Sequence, residues 1–203
     1  MSLCINNKRS YAGFTLIEML ISITLLSIVL AALYSTFFLS HRAIDGMDES
    51  IVKLQETRKA LDILKRELDS AVFRNDDEHT VFRVSDRDFF GKQASQLTFT
   101  TFSTLRPGIS RIEYYVEEKE GKLTLYKKIE SPYQKEETEG VDIIEDLQGF
   151  TIEAKYNDQW VKTWDTGMNM KRPEEIRISL SIILKDRVLT LSDVATPKVD
   201  SII

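Results

Sequence analysis

Hydrophobic and polar positions divide this chain into three zones. From Met19 to Ser40 it runs MLISITLLSIVLAALYSTFFLS, 22 consecutive residues without a charge. A helix of about 20 residues spans the roughly 30 Å hydrocarbon layer, so this stretch is long enough to cross a membrane once. Beyond Arg42 the pattern becomes amphipathic. Ile44, Met47, Ile51, Leu54, Leu61, Leu64, Leu68 and Val72 recur at spacings of three, four and seven and form one stripe. Asp48, Lys53, Glu56, Arg58, Lys59, Asp62, Lys65 and Asp69 occupy the opposite face. The two zones together predict a nearly continuous helix from about Phe14 to Phe73, on the order of 90 Å long, with Gly46 as its weakest point. The amphipathic half is expected to pack on a sheet of its own chain.

After a polar loop at Asn75–His79 the period changes to two. Leu97–Phe102 reads as a strand, and Arg111–Glu118 as another with Ile112, Tyr114 and Val116 on one side. Glu120-Gly121 turns that strand into Lys122–Ile129. Phe150–Tyr156 and Trp160–Trp164 flank a second turn at Asn157-Asp158-Gln159, with the two tryptophans on one strand face as a stacked pair. Ile176–Ile182 turns through Lys185-Asp186 into Val188–Leu191. Helix followed by antiparallel strands is an α+β arrangement, the helix covering one sheet face. Pro132–Asp142 reads as a flexible insertion and 196–203 as a loose tail.

Composition narrows the chemistry. With 203 residues, a net charge of −5 and no basic run longer than two, the chain does not offer the clustered cations that nucleic acid requires. One cysteine, Cys4, and two histidines, His41 and His79, exclude Cys/His zinc sites, disulfide frameworks and Cys–His catalysis. Neither G-x-S-x-G nor H-E-x-x-H occurs. Asn75-Asp76-Asp77-Glu78-His79 lacks the glycine and alternating oxygen ligands of a calcium loop and reads as a solvated connection. Asp158 and Asp165 are the nearest thing to a catalytic carboxylate pair, and both are explained by turn chemistry. The sequence therefore predicts neither an enzyme nor a cofactor or metal site.

Lys8 and Arg9 precede the apolar run, and Asp45, Asp48 and Glu49 follow it, which places the N-terminus in the cytoplasm and the larger part outside. A secretory signal peptide cut near Val29-Leu30-Ala31 is the competing reading. It is disfavoured by the length of the run and by Glu18 inside its front edge. An acid at that position is costly in lipid unless it has a task, although the positive end of the helix dipole also favours it there. The residues Lys8-Arg9-Ser10-Tyr11-Ala12-Gly13-Phe14-Thr15-Leu16-Ile17-Glu18, followed by a full span, closely resemble the class III leader of the type IV pilin and pseudopilin superfamily. The resemblance implies cleavage by a prepilin peptidase between Gly13 and Phe14, N-methylation of Phe14, and an assembly role for Glu18.

Those positions make physical sense independently. Gly13 lets the backbone lie close in a protease cleft. The new amine at Phe14 needs a counter-charge, and in a bundle of parallel helices Glu18 of one subunit can approach the amine of its neighbour. Such a pair sets axial register more than it adds stability. Cleavage also removes Cys4, so the mature chain has no disulfide. The division expected is a leader at 1–13, a transmembrane helix at 14–40, its amphipathic continuation at 41–73, a periplasmic β-rich domain at 74–195 and a tail at 196–203.

A narrower resemblance is carried by Leu147–Asp158, then Trp160 and Trp164, then Arg172-Pro173-Glu174-Glu175-Ile176. This stretch is similar to the J-type minor pseudopilins of type II secretion, which typically show a tyrosine-turn-tryptophan hairpin and a Leu-Pro-x-x-Val/Ile strand opening. Arg172 replaces that leucine, and Gln159 stands where a turn glycine is common. The resemblance implies a structural subunit that joins I-type and K-type minor pseudopilins in a tip complex initiating a periplasmic pseudopilus. The major pseudopilin, the prepilin peptidase and the inner-membrane assembly platform would be further partners. A minor pilin of a type IV pilus or DNA-uptake machine is the alternative within the same superfamily.

Overall fold

The structure is a computed structural model that describes residues 15–74, 77–102, 108–133 and 138–197. Two compact units divide the chain, Met1–Glu49 and Ser50–Ile203. One helix, α1 (Leu16–Asp69), contributes to both.

In the first unit, Leu16–Arg42 is long and apolar enough to cross a membrane, and none of its apolar window is buried. Four of its hydroxyls do not compete with the helix, because they turn back onto a carbonyl of the preceding turn. Ser22 Oγ donates to the Glu18 carbonyl at 2.7 Å, Ser27 Oγ to that of Ile23 at 2.8 Å and Thr36 Oγ1 to that of Ala32 at 2.9 Å. A spanning helix needs every polar group satisfied internally in this way. Gly46, the expected weak point, lies inside the helical run.

In the second unit the end of α1 lies on a sheet built from β1 (Phe82–Ser85), β4 (Gln96–Phe102), β5 (Ile109–Lys119), β6 (Lys122–Glu130), β7 (Val141–Tyr156), β8 (Gln159–Val161), β9 (Trp164–Asp165), β10 (Ile176–Leu184) and β11 (Arg187–Ala195). Their order is β11-β10-β7-β6-β5-β4-β1-β9, with β8 paired to β7, and every strand pair is antiparallel. A separate ribbon of β2 (Asp88–Phe89) and β3 (Lys92–Gln93) leaves the sheet between β1 and β4. A single helical turn, α2 (Thr166–Asn169), follows β9 and is capped by Asp165.

The alternating positions expected of the strands are the buried ones. Ile112, Tyr114 and Val116 of β5 meet Leu97 and Phe99 of β4, Leu123 and Leu125 of β6, and Ile176, Ile178, Leu180 and Ile182 of β10 in one core closed by Leu61, Leu64 and Leu68 of α1. The hairpin turns fall at Glu120-Gly121, Asn157-Asp158 and Lys185-Asp186, all with positive φ at both positions, as the right-handed twist of two-residue hairpins demands.

β7 is longer than the Phe150–Tyr156 strand expected and absorbs the end of the supposed insertion. Its first half pairs with β6 and its second half, from Leu147, with β10. At the changeover Asp146 has a φ of 57°. The edge that β7 turns away from β6 is taken by the chain entering β4. Ser95 N donates to the Phe150 carbonyl at 2.9 Å, and Ile152 N donates to Ser95 Oγ at 3.1 Å. The sheet curls there, because bulges and changes of partner increase local twist.

Several expectations are corrected. The helix ends at Asp69 rather than Phe73, because Ala71 and Val72 pair with β4 and the Thr101 hydroxyl reaches the carbonyls of Glu67 and Ser70. Ile44 and Ile51 of the apolar stripe are exposed, while Thr57 and Ala60 are buried; the side chain of Met47 lies outside the described residues. Lys53 and Lys65, assigned to the solvent face, reach the sheet instead. Trp160 and Trp164 do not stack. They sit on separate strands, and Trp164 is buried against Tyr156, with ring centroids 5.2 Å apart. The start of the loose tail is held: Thr196 N donates to Asp69 Oδ1 at 2.8 Å, and the Pro197 carbonyl accepts from Arg172. Asn75, Asp76, residues 134–137 and residues 198–203 lie outside the described residues.

Candidate functional site

Glu18 stands in the first turn of α1, three residues after Thr15. The backbone N–H of Thr15 donates to Glu18 Oε2 at 2.9 Å and its hydroxyl to the same oxygen at 2.8 Å, while Glu18 N donates to Thr15 Oγ1 at 3.4 Å. This is a reciprocal capping box, which satisfies donors left without intrahelical partners at a helix start. The other oxygen, Oε1, has no hydrogen-bond partner among the described residues. The site thus presents a rigidly oriented carboxylate with one oxygen open, at the end of an unburied apolar helix. Gly13 and Phe14 lie outside the described residues. Thr15 escaped the sequence reading, although T-x-x-E before an apolar run is a recognisable capping signal.

A second cluster fixes how α1 seats on the sheet. Tyr114 Oη donates to Glu67 Oε2 at 2.6 Å, Lys127 Nζ pairs with Glu67 Oε1, and Lys127 lies 5.6 Å from the Tyr114 ring centroid. Burial, reinforced by the neighbouring Glu67 charge, drives the Tyr114 phenol well above its ordinary range, so it stays a donor at any accessible pH. On the other flank Lys65 pairs with Asp193 of β11 at 2.8 Å, and nearer the start of the unit Lys53 pairs with Asp146 at 2.9 Å. Breaking such a partly buried pair strands a charge, so the three pairs specify helix rotation and register more than they add stability. Nothing in the sequence marks them, because each joins residues 60 or more positions apart.

The uncovered face of the sheet carries polar pairs among a few exposed aliphatic side chains, Ile183, Val188 and Val194. Ser179 and Ser181 bond to Ser192 and Thr190, both at 2.8 Å, and Arg177 lies 3.9 Å from the Trp160 ring centroid while its guanidinium bonds Glu153. Asp158 and Asp165 form no pair. Asp158 is an exposed turn residue beside Lys155, whereas Asp165 caps α2 and bonds Arg83 at 2.8 Å. His79 packs on Tyr133, with ring centroids 4.7 Å apart. Among the described residues no group of three or more His, Cys, Asp or Glu side chains is placed to hold a metal ion.

An apolar then amphipathic N-terminal helix, seated on a curled antiparallel sheet and carrying an acid in its first turn, defines a pilin-like subunit. The chain belongs to the family Type II secretion system (T2SS), protein J, which it matches over residues 36–187, and it is therefore a minor pseudopilin of type II secretion. Residues 8–34 match the prokaryotic N-terminal methylation motif. The fold is similar to a chain of the GspK-GspI-GspJ complex from the enterotoxigenic Escherichia coli Type 2 Secretion System, at 10% identity and a TM-score of 0.50, covering 73% of this chain and 99% of that one. A type IV-like pilin from Thermus thermophilus matches at 9% identity and a TM-score of 0.45, covering 71% of this chain and 96% of that one. Comparison with curated proteins returns no match.

Proposed function

We propose that this subunit joins I-type and K-type minor pseudopilins in a tip complex that initiates the pseudopilus, and that its role is structural rather than catalytic. The family match supports this, as does the fold shared with a chain from a solved complex of three such proteins. In this reading the prepilin peptidase cuts between Gly13 and Phe14 and the Phe14 amine is methylated. The helix sits in the inner membrane with its N-terminus cytoplasmic and its second unit periplasmic, before extraction into the fibre by the assembly platform and onto the major pseudopilin.

The observation that carries the reading is the half-engaged Glu18. Thr15 holds Oε2 and fixes the carboxylate's direction, which leaves Oε1 for the cationic Phe14 amine of the neighbouring subunit. A charge in lipid is tolerated when paired, so lateral packing of parallel helices is rewarded only in the register that brings amine to acid.

Cross-linking in native membranes, followed by mass spectrometry of the N-terminal peptide and of the attached partners, tests it. The expected result is a methylated Phe14 with I-type and K-type pseudopilins attached. In a Gly13→Val variant the chain should stay uncut, with Met1 retained and no tip partners recovered. An intact Met1 in the wild-type protein, or pilus and DNA-uptake pilins as its only partners, would sink the reading.

A further inference from the structure

Four two-residue hairpins among the described residues share one backbone solution, with positive φ at both turn positions. Three of them place Glu120, Asn157 and Lys185 at the first position, polar side chains that water accepts. The fourth joins β2 to β3 and places Phe90 there, at a φ of 52°, followed by Gly91 at 83°. A non-glycine residue pays a steric cost in the left-handed region, and for a bulky side chain with no local hydrogen bond to offer it is a genuine outlier. Phe90 adds a second unfavourable feature, since it is 92% exposed, the most exposed large apolar side chain among the described residues of the second unit.

The ribbon is built to hold the ring there. Asp88 Oδ1 accepts from Gly91 N at 2.7 Å and closes the turn, while the neighbouring Phe89 packs against the core. At its base Ala94 N donates to the Arg87 carbonyl at 2.8 Å, and Ser95 is tied to β7. Lys162 Nζ bonds Gln93 Oε1 at 2.9 Å from the side. Strain and apolar exposure concentrated at one braced position point to use rather than accident. The flanks Asp86, Arg87, Asp88 and Lys92 carry both signs of charge and no excess of cations, so a lipid surface is a poor match. A fixed aromatic with a charged rim has instead the anatomy of an anchor that enters an apolar pocket on another folded protein.

We propose that the Phe90 hairpin is a docking knob that seats in an apolar pocket of a neighbouring minor pseudopilin in the tip complex. The proposal rests on the tip-complex reading above. Its test uses the full-length chain in its own membrane, with photo-reactive p-benzoyl-phenylalanine at position 90, alongside a Phe90→Asn variant. Asparagine suits the left-handed turn position, so the variant should melt about 2–4 °C higher in detergent while recovering its pseudopilin partners about tenfold less well. The photo-probe should cross-link to an I-type or K-type subunit. Cross-links to lipid alone, to an exported protein, to a second copy of this chain or to nothing would overturn the proposal, and so would Phe90→Asn recovering partners as well as wild type. If wild type recovers no pseudopilin, the tip-complex reading falls with it. If wild type recovers them and Phe90→Asn does so equally, Phe90 alone is at fault.

Discussion

Between Leu16 and Arg42 helix α1 buries none of its apolar window, whereas between Thr57 and Leu68 it buries Thr57, Ala60, Leu61, Leu64 and Leu68 against a sheet. The first stretch is apolar on every side, and the second on one stripe only. The difference teaches that helicity is sustained by two separate means in one element. In the apolar stretch the backbone ladder and the hydroxyls of Ser22, Thr24, Ser27 and Thr36 are satisfied within the helix, so a lipid environment adds no competing partner there. In the amphipathic stretch tertiary packing supplies the stability and three ion pairs supply the register. The charges follow the same division: Glu67 has both oxygens engaged, while Glu18 keeps one open.

The largest effect is expected from removing the acid that keeps an oxygen open. Glu18→Ala should insert and be processed, leave the melting of the second unit unchanged, and lose essentially all incorporation into a tip complex, as read by co-purification. Wild-type incorporation by that variant would dismiss the pairing argument. Next in size, Leu64→Ala creates a cavity under α1 and should cost about 2–5 kcal/mol in denaturant unfolding of the second unit. Leu26→Ala, in the apolar stretch, should not move that transition. A shift of similar size from both variants would show that the two stretches are not independent.

The smallest effect is the pH response of the Lys65–Asp193 pair, which is partly exposed and worth at most about 1 kcal/mol. The hydrogen bond from Lys65 holds the Asp193 carboxyl below its ordinary value of 3.8, so its contribution is present above that pH and lost as pH falls through the lower folded value. The hydrogen bond to Asp193 raises Lys65 above 10.5, so its contribution is present below that pH and lost as pH rises through the higher folded value. Stability of the second unit should therefore carry a small shoulder at each extreme, and Asp193→Asn should remove the acid one and shrink the alkaline one, where Asp69 and Asp62 still favour the Lys65 charge. Unchanged shoulders in that variant would assign them elsewhere.

The apolar run, the strand alternation around Ile112, Tyr114 and Val116, and the turns at Glu120-Gly121, Asn157-Asp158-Gln159 and Lys185-Asp186 were legible because each is a local pattern with a local cause, although Gln159 belongs to β8 and not to its turn. Periodicity fixes a face, and turn chemistry fixes a hairpin. The segment from Asn75 to Pro107 was not legible beyond Leu97–Phe102. Its strands β1, β2 and β3 and the paired β9 are two to four residues long, too short for a period to show; β1 and β9 are defined by each other, Arg83 by Asp165, and the β2–β3 ribbon is only two residues to a side. The tryptophans misled for the same reason, since a spacing of four says nothing once the chain breaks into two strands between them.

By itself, then, the sequence determined a membrane-length helix with an acid in its first turn, its amphipathic extension and an antiparallel sheet with three of its hairpins. These depend on residues within one or two turns of each other. Only the tertiary structure decided that Glu67 is bound by Tyr114 and Lys127, that Lys65 reaches Asp193, and that β7 changes partners at Asp146, because such contacts join residues tens of positions apart. The same holds for Phe90: its letter is ordinary, and what makes it distinctive, a left-handed and exposed turn position on a ribbon tied to Lys162, is a property of the folded chain.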